Sequence, residues 1–227
     1  MKKVLLLHGA LGSQAQLQSI KAALSEQFNV YTLNFSGHGG VDMPSQYNDA
    51  VFIQDILAFL DDHKIGSINI FGYSMGGYVA LHLAALHPER VEKVFTLATK
   101  FDWTPESAAQ EVKFLNADKI LAKVPHFAAA LEKRHHPQDW KLVLEKTAEM
   151  MLDLGDGNGL QAEHFKAIQH PVMITVGSKD HMVSLAESQN VVEQLENGQL
   201  FVFEGFKHPI EKVNVDILTK EIGVFLG

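Results

Sequence analysis

The chain has 227 residues, 46% of them hydrophobic and 20% charged, with no cysteine and a formal net charge of −8. That length suits one α/β domain with room for a small insertion. The missing cysteine excludes disulfides, thiolate metal sites and a cysteine nucleophile, and the acidic balance argues against a nucleic-acid partner.

Lys2-Lys3 precedes a run of four apolar residues, Val4 to Leu7, which His8 interrupts. The run is too short for a secretory core, and no stretch reaches the roughly 18 apolar residues of a spanning helix, so a cytoplasmic protein without a membrane partner is expected. Val4 to Leu7 reads instead as a strand buried on both faces. The loop His8-Gly9-Ala10-Leu11-Gly12 follows. Ser13 and Gln16 then form an S-x-x-Q capping box, with Leu17, Ile20, Leu24 and Phe28 at helical spacing. Val30 to Phe35 predicts the second strand, leaving through Ser36-Gly37-His38-Gly39-Gly40. A helix is expected from about Gln46 to His63, with Val51, Ile56, Leu57 and Leu60 on one face.

Ile68 to Phe71 predicts a third strand and runs directly into Gly72-Tyr73-Ser74-Met75-Gly76, after which a helical pattern continues until Pro88. This is G-x-S-x-G between a strand and a helix, the setting in which a serine sits on a sharp turn with its hydroxyl aimed out of the sheet. Such a turn strains the serine backbone and crowds the residues two positions away, which must therefore lack side chains. Val91 to Ala98 predicts a fourth strand. The β-α alternation then lapses: between residues 101 and 165 only helical runs are legible, Ser107–Leu115, Lys119–Arg134 and Asp139–Leu154, closed by Gly155-Asp156-Gly157-Asn158-Gly159. It resumes with a strand at Val172–Val176, a helix whose Ser184 and Glu187 form another capping box, a strand at Leu200–Phe203, and a last helix from about Pro209. The expected architecture is an α/β doubly wound, mainly parallel sheet of about six strands, with residues 1–100 and 166–227 as the core and 101–165 as a helical cap inserted into it.

A serine hydroxyl needs a base to remove its proton, and the base needs a partner to hold its tautomer. Asp180 follows the strand Val172–Val176 and His208 follows Leu200–Phe203, so in a parallel sheet both emerge with Ser74 at one edge. Asp102, just past the fourth strand, is the alternative acid. The loop after the first strand is placed to give a second oxyanion donor beside the Met75 N–H: Ala10, with Leu11 as the alternative. The remaining histidines read mostly as structural. His8 is expected to shape its loop by hydrogen bonding, His38 either holds its glycine loop or lines the site, and His181 is incidental. His135-His136 are adjacent on a helix and point in different directions, so no metal site is expected there.

The segments His8-Gly9, Gly37-His38-Gly39, Gly72-Tyr73-Ser74-Met75-Gly76-Gly77, Gly177-Ser178-Lys179-Asp180 and Lys207-His208-Pro209 together resemble the α/β-hydrolase superfamily over nearly the whole chain. The resemblance implies six parallel strands with the first strand second in space, the family's Ser–His–Asp triad (here Ser74, His208 and Asp180) and acyl-enzyme chemistry without a cofactor or metal. The sequence starts on the strand carrying His8-Gly9, so the family's usual N-terminal hairpin is expected to be missing. The expected activity is hydrolysis of a small, mostly uncharged carboxylic ester. The same resemblance also covers C–C hydrolases, thioesterases, lyases and haloperoxidases, and a non-catalytic ligand-binding protein on the same fold is the alternative of another class. Subfamilies that bind acids often place an arginine shortly after the serine turn, where this chain has Gly77-Tyr78-Val79.

Overall fold

The computed structural model describes residues 1–227. Six strands, β1 (Lys3–Leu7), β2 (Asn29–Thr32), β3 (Ile68–Tyr73), β4 (Val91–Leu97), β5 (Val172–Gly177) and β6 (Gly198–Phe203), form one sheet in the order β2-β1-β3-β4-β5-β6. Every neighbouring pair is parallel. The first strand is therefore second in space. The chain winds outward from β1 to β2 and then returns past β1 to β3, which puts the topological switch between β1 and β3. Ligands of open α/β sheets bind in the crevice at such a switch, beyond the carboxyl ends of the strands.

Alternation along each strand feeds two separate cores. Leu5, Leu7, Ile68, Ile70 and Val172 face α2 (Asp49–Asp62), α3 (Met75–Leu86) and α9 (Leu185–Val192). Val4, Leu6, Phe71, Phe95 and Phe203 face α1 (Gln18–Leu24) and α10 (Val215–Leu226). The strands are apolar on both faces because both are covered, as a doubly wound sheet requires. Between β4 and β5 the chain builds α4 (Pro105–Glu111), α5 (Ala117–Lys123), α6 (Pro125–His135), α7 (Trp140–Asp153) and α8 (Ala162–Ala167). Ile120, Ala128, Leu131, Trp140 and Leu144 give this segment a small core of its own. No helix of the molecule is long and apolar enough to cross a membrane.

Several boundaries differ from the sequence reading, each for a local reason. The helix expected over Lys119–Arg134 is two helices, because Pro125 lacks an N–H and forces Val124 out of helical geometry, to φ −139° and ψ 58°. The second strand stops at Thr32 because Asn34 turns its side chain onto the loop, accepting from Gln14 N–H and donating to the Gly39 carbonyl. The helix expected from Gln46 starts at Asp49, where the Asn48 side chain caps it at the Val51 N–H. Its buried face is Phe52, Ile53, Ile56 and Leu60, with Val51 and Leu57 only half-buried at its flanks. A short helical turn, Ile210–Lys212, separates Pro209 from α10, which begins after its cap Asn214.

Candidate active site

Ser74 stands at the hinge between β3 and α3 with φ 51° and ψ −118°, a strained conformation for a residue with a side chain. The surrounding backbone holds it from both sides. Its N–H donates to the Leu97 carbonyl at 2.8 Å, while its carbonyl accepts from Gly77 N–H at 3.0 Å and from the Thr99 hydroxyl at 3.0 Å. The turn is possible only because its flanks are bare: a Cβ on Gly72 would lie 2.5 Å from Gly77 Cα, and one on Gly77 would lie 2.1 Å from Thr99 Oγ1.

The turn brings Ser74 Oγ to 3.4 Å from His208 Nε2. His208 leaves β6 through Glu204–Lys207, and its Nδ1 lies 2.9 Å from Asp180 Oδ2. The other Asp180 oxygen, Oδ1, accepts from the backbone N–H groups of Met182 and Val183 at 2.8 and 3.0 Å. The Asp180 side chain is fully buried and that of His208 is 20% exposed. Burial pushes the Asp180 carboxyl up, but the bond and charge of His208 and the two backbone donors outweigh it and hold the group below the ordinary carboxylate range. Tyr73 donates to the His208 carbonyl at 3.0 Å, fixing the base from its own backbone. Three loops at the carboxyl ends of β3, β5 and β6 thus bring a hydroxyl, an imidazole and a carboxylate into one line of contacts. The Asp102 side chain takes no part in it; only its backbone carbonyl is engaged, by Ser107.

The loop after β1 completes the arrangement. The Gly9 carbonyl accepts from Gly12 N–H at 3.0 Å and lies 2.8 Å from His8 Nδ1. Across a trans peptide the N–H points opposite to the carbonyl, so Ala10 N–H is turned away from these partners, and it donates to no other group. Met75 is the first residue of α3, where the helix offers its N–H no acceptor. Ala10 and Met75 line the same cavity as Ser74 and His208. Leu11, with φ 57°, is held from α6 by Arg134 Nη1 at 2.7 Å and His135 Nε2 at 3.1 Å on its carbonyl.

The cavity has a volume of about 600 Å³, and 15 of its 25 lining residues are hydrophobic. The segment between β4 and β5 supplies Phe114, Leu115, Phe127, Met150, Met151 and Leu154. Leu131 lies in that segment's own core, and Leu121 is exposed. His181 lines the cavity, since it follows Asp180 directly and is carried to the mouth with it. Sequence reasoning passed over Asp49, which also lines the cavity and receives His82 Nδ1 at 2.6 Å.

His8, His38 and His135 are wholly buried, and their rings form a chain with centroids 5.0 and 5.8 Å apart. His38 packs between Ser36 and Tyr47, and His135 joins the Leu11 carbonyl to the Gly39 N–H. Neither ring is among the cavity's lining residues. Burial drives His8 and His135 down to about 4 and His38 well below its ordinary value, so all three are neutral near pH 7. No group of three or more His, Asp or Glu side chains is placed to hold a metal ion.

Among known proteins, a family model of the alpha/beta hydrolase fold matches residues 2–124. The chain is 26% identical to the pimeloyl-acyl-carrier-protein methyl ester esterase of Neisseria meningitidis, over 92% of this chain and 86% of the relative. It is also 26% identical to ethanol acetyltransferase 1 of Kluyveromyces marxianus, over 98% of this chain but only 55% of that longer protein. A shorter match, 31% identical, to ethanol acetyltransferase 1 of Kluyveromyces lactis spans 50% of this chain and 30% of the relative. The NosK structure from Streptomyces actuosus superposes with a TM-score of 0.83 at 19% identity, over 99% of this chain and 96% of the other. The enol-lactonase from Burkholderia xenovorans gives 0.79 at 21%, over 99% and 91%. The family match covers more than half the chain and falls on the sheet and the serine turn just described: the chain belongs to the α/β-hydrolase fold family.

Proposed function

We propose that the protein is a serine hydrolase that cleaves a small, largely apolar and uncharged carboxylic ester through an acyl-enzyme. The observation that carries this reading is the continuous contact path Ser74 Oγ, His208 and Asp180 at the wall of an apolar cavity. Ser74 attacks the carbonyl carbon while His208 Nε2 takes its proton. Asp180 keeps Nδ1 protonated and stabilises the imidazolium that forms. The Ala10 and Met75 N–H groups receive the oxyanion, each worth about 3–4 kcal/mol to the transition state. His208 then gives its proton to the leaving alcohol, and a water activated by the same imidazole releases the acid. Residues 101–165 act as a cap whose apolar side chains bind the acyl or alcohol arm and exclude water from the acyl-enzyme.

A second reading rests on the relatives named ethanol acetyltransferase, which align along 98% of this chain in one case. The same acyl-enzyme can pass its acyl group to an alcohol instead of water, with His208 deprotonating the alcohol. The two outcomes are competing fates of one intermediate.

A fluorophosphonate probe tests the reading. The wild type should gain one covalent adduct on Ser74, and Ser74→Ala and His208→Ala should gain none. p-Nitrophenyl esters of increasing chain length then size the pocket, and added ethanol divides the acyl group between acid and ethyl ester. A wild type that neither labels nor hydrolyses any of the esters would overturn the proposal in favour of a non-catalytic binding protein.

A further inference from the structure

Asp49 is the one acidic side chain on the α2 side of the cavity, among the otherwise apolar Phe52, Met75, Val79 and Met150. Its carboxylate is half committed. Oδ2 is paired with His82 Nδ1 at 2.6 Å, and both side chains are 12% exposed. Oδ1 has no partner, yet it is not sealed: the unpartnered side-chain atoms enclosed in the molecule are Asn69 Oδ1, Thr96 Oγ1 and His170 Nδ1. A carboxylate oxygen in an apolar wall is costly to bury unless something donates to it. His82 fixes the carboxylate from behind, and the edge of His164 packs on His82 with ring centroids 5.1 Å apart. Tyr78, one helical turn before His82, also lines the cavity, and its hydroxyl oxygen accepts from the Leu160 N–H at 2.5 Å. Asp49 Oδ1 is therefore an acceptor left without a donor, on a cavity-lining residue that is tied to α3 at His82. Ser74 precedes α3 and His82 lies eight residues along it, about 12 Å at the helical rise.

We propose that Asp49, held by His82, is a specificity residue that receives a hydroxyl at the far end of the substrate's long arm, so that the preferred ester is ω-hydroxylated rather than a plain alkyl chain. This rests on the ester-hydrolase reading and narrows its substrate class. The arm stays uncharged and apolar along its length, matching the lining, and only its tip carries a donor. A site built around a hydrogen bond to a hydroxyl rejects the analogue that lacks it, because the site's own polar group is then left unpaired.

The test compares p-nitrophenyl 8-hydroxyoctanoate, octanoate and 8-methoxyoctanoate as substrates. The ketones 9-hydroxynonan-2-one and nonan-2-one serve as ligands in calorimetry, which needs no turnover. For the wild type, the hydroxyl should raise kcat/KM about tenfold or more over both other esters and tighten ketone binding to a similar degree. In Asp49→Asn the amide oxygen can still accept from His82, which turns the NH2 group to the cavity. The preference should then pass to the methoxy ester, so that the ratio of kcat/KM on the hydroxy ester to that on the methoxy ester inverts. Equal wild-type rates on the three esters together with equal binding of the two ketones would overturn the inference without touching the hydrolase reading. So would a well-folded Asp49→Asn that keeps the hydroxyl preference, which would reduce the Asp49–His82 pair to a tie between α2 and α3. If no ester is hydrolysed, the calorimetry still decides. Should Asp49→Asn fail to fold, the wild-type comparison stands alone.

Discussion

His8 Nδ1 lies 2.8 Å from the Gly9 carbonyl, and its Nε2 accepts from the Phe35 N–H at 3.2 Å. Since Nε2 is the acceptor, the proton is on Nδ1, and His8 donates to Gly9. That bond and the one from Gly12 N–H fix the Gly9–Ala10 peptide, and with it the direction of Ala10 N–H. In the proposed mechanism His8 is thus a positioning residue for an oxyanion donor it never touches. In His8→Phe, which keeps an aromatic ring in the same space, kcat on a p-nitrophenyl ester should fall by about 10²-fold while KM changes little. A rise in KM at unchanged kcat would mean that the loop binds substrate and does not stabilise charge.

The acid of the proposed triad is open to a direct comparison. Asp180 is fully buried against His208, whereas Asp102 is exposed and engages the fold only through its carbonyl. Asp180→Asn should lower kcat by about 10⁴-fold, because an amide no longer selects the required imidazole tautomer. Asp102→Asn should leave activity within about twofold. The reverse pattern in steady-state kinetics would assign the acid to Asp102.

The contrast between what the sequence discloses and what it hides follows from how each feature is encoded. Ser74, Asp180 and His208 could be placed together because each follows an apolar run, and parallel strands deliver all their carboxyl ends to one edge. Of the strand order only the place of the first strand, second in space, was anticipated, and that came from the resemblance. The capping box at Ser184 and Glu187 is also a local code, and the structure shows it, with Ser184 Oγ accepting from Glu187 N–H at 3.1 Å. Residues 101–165 were harder, since helical periodicity is indifferent to where a helix docks. Phe127 and Leu131 are four residues apart on α6, yet Phe127 lines the cavity and Leu131 fills a separate core. Asp49 was invisible as a site residue because its partner His82 comes from another helix and nothing in the sequence spacing connects them. Ile217 is 48% exposed because α10 starts only at Val215 and turns Leu218 and Ile222 inward. Short helix α8 was not anticipated at all: its six residues carry too little periodicity to register.

The bareness of the serine turn can be measured against a glycine that has no such task. A Cβ at Gly77 would come within 2.1 Å of Thr99 Oγ1 and 3.0 Å of both the Gly72 carbonyl and Thr96 Cβ, while one at Gly66 would meet nothing within 4 Å. Gly77→Ala should destabilise the protein by about 2–4 kcal/mol and displace Ser74, since a side chain in a closed site forces backbone movement. Gly66→Ala should shift stability by less than about 0.5 kcal/mol. Urea unfolding monitored by circular dichroism reads both, and a Gly77→Ala protein as stable as wild type would show that the turn has slack.

The buried histidines give the fold a defined acid sensitivity. His8 and His135 have folded-state values near 4 and His38 lies well below its ordinary value, in each case first because burial disfavours the charged ring, with neighbouring positive charges adding to it. A depressed value means that the unfolded chain binds the proton more readily. The stability is therefore complete above about pH 6.5, the unfolded value, and is lost as the pH falls toward 4. Within that window each ring contributes up to about 1.4 kcal/mol per pH unit. Asp55 and Glu111, raised mainly by burial, act in the opposite sense nearer the carboxylate range and soften the low end of the slope. Melting temperatures taken from pH 7.5 to 4.5 should fall progressively below pH 6.5. His135→Gln, whose amide can still donate to Leu11, should flatten the profile, because one titrating ring is gone. A profile that is flat down to pH 5 in the wild type would mean that the three rings can accept protons without leaving their pocket.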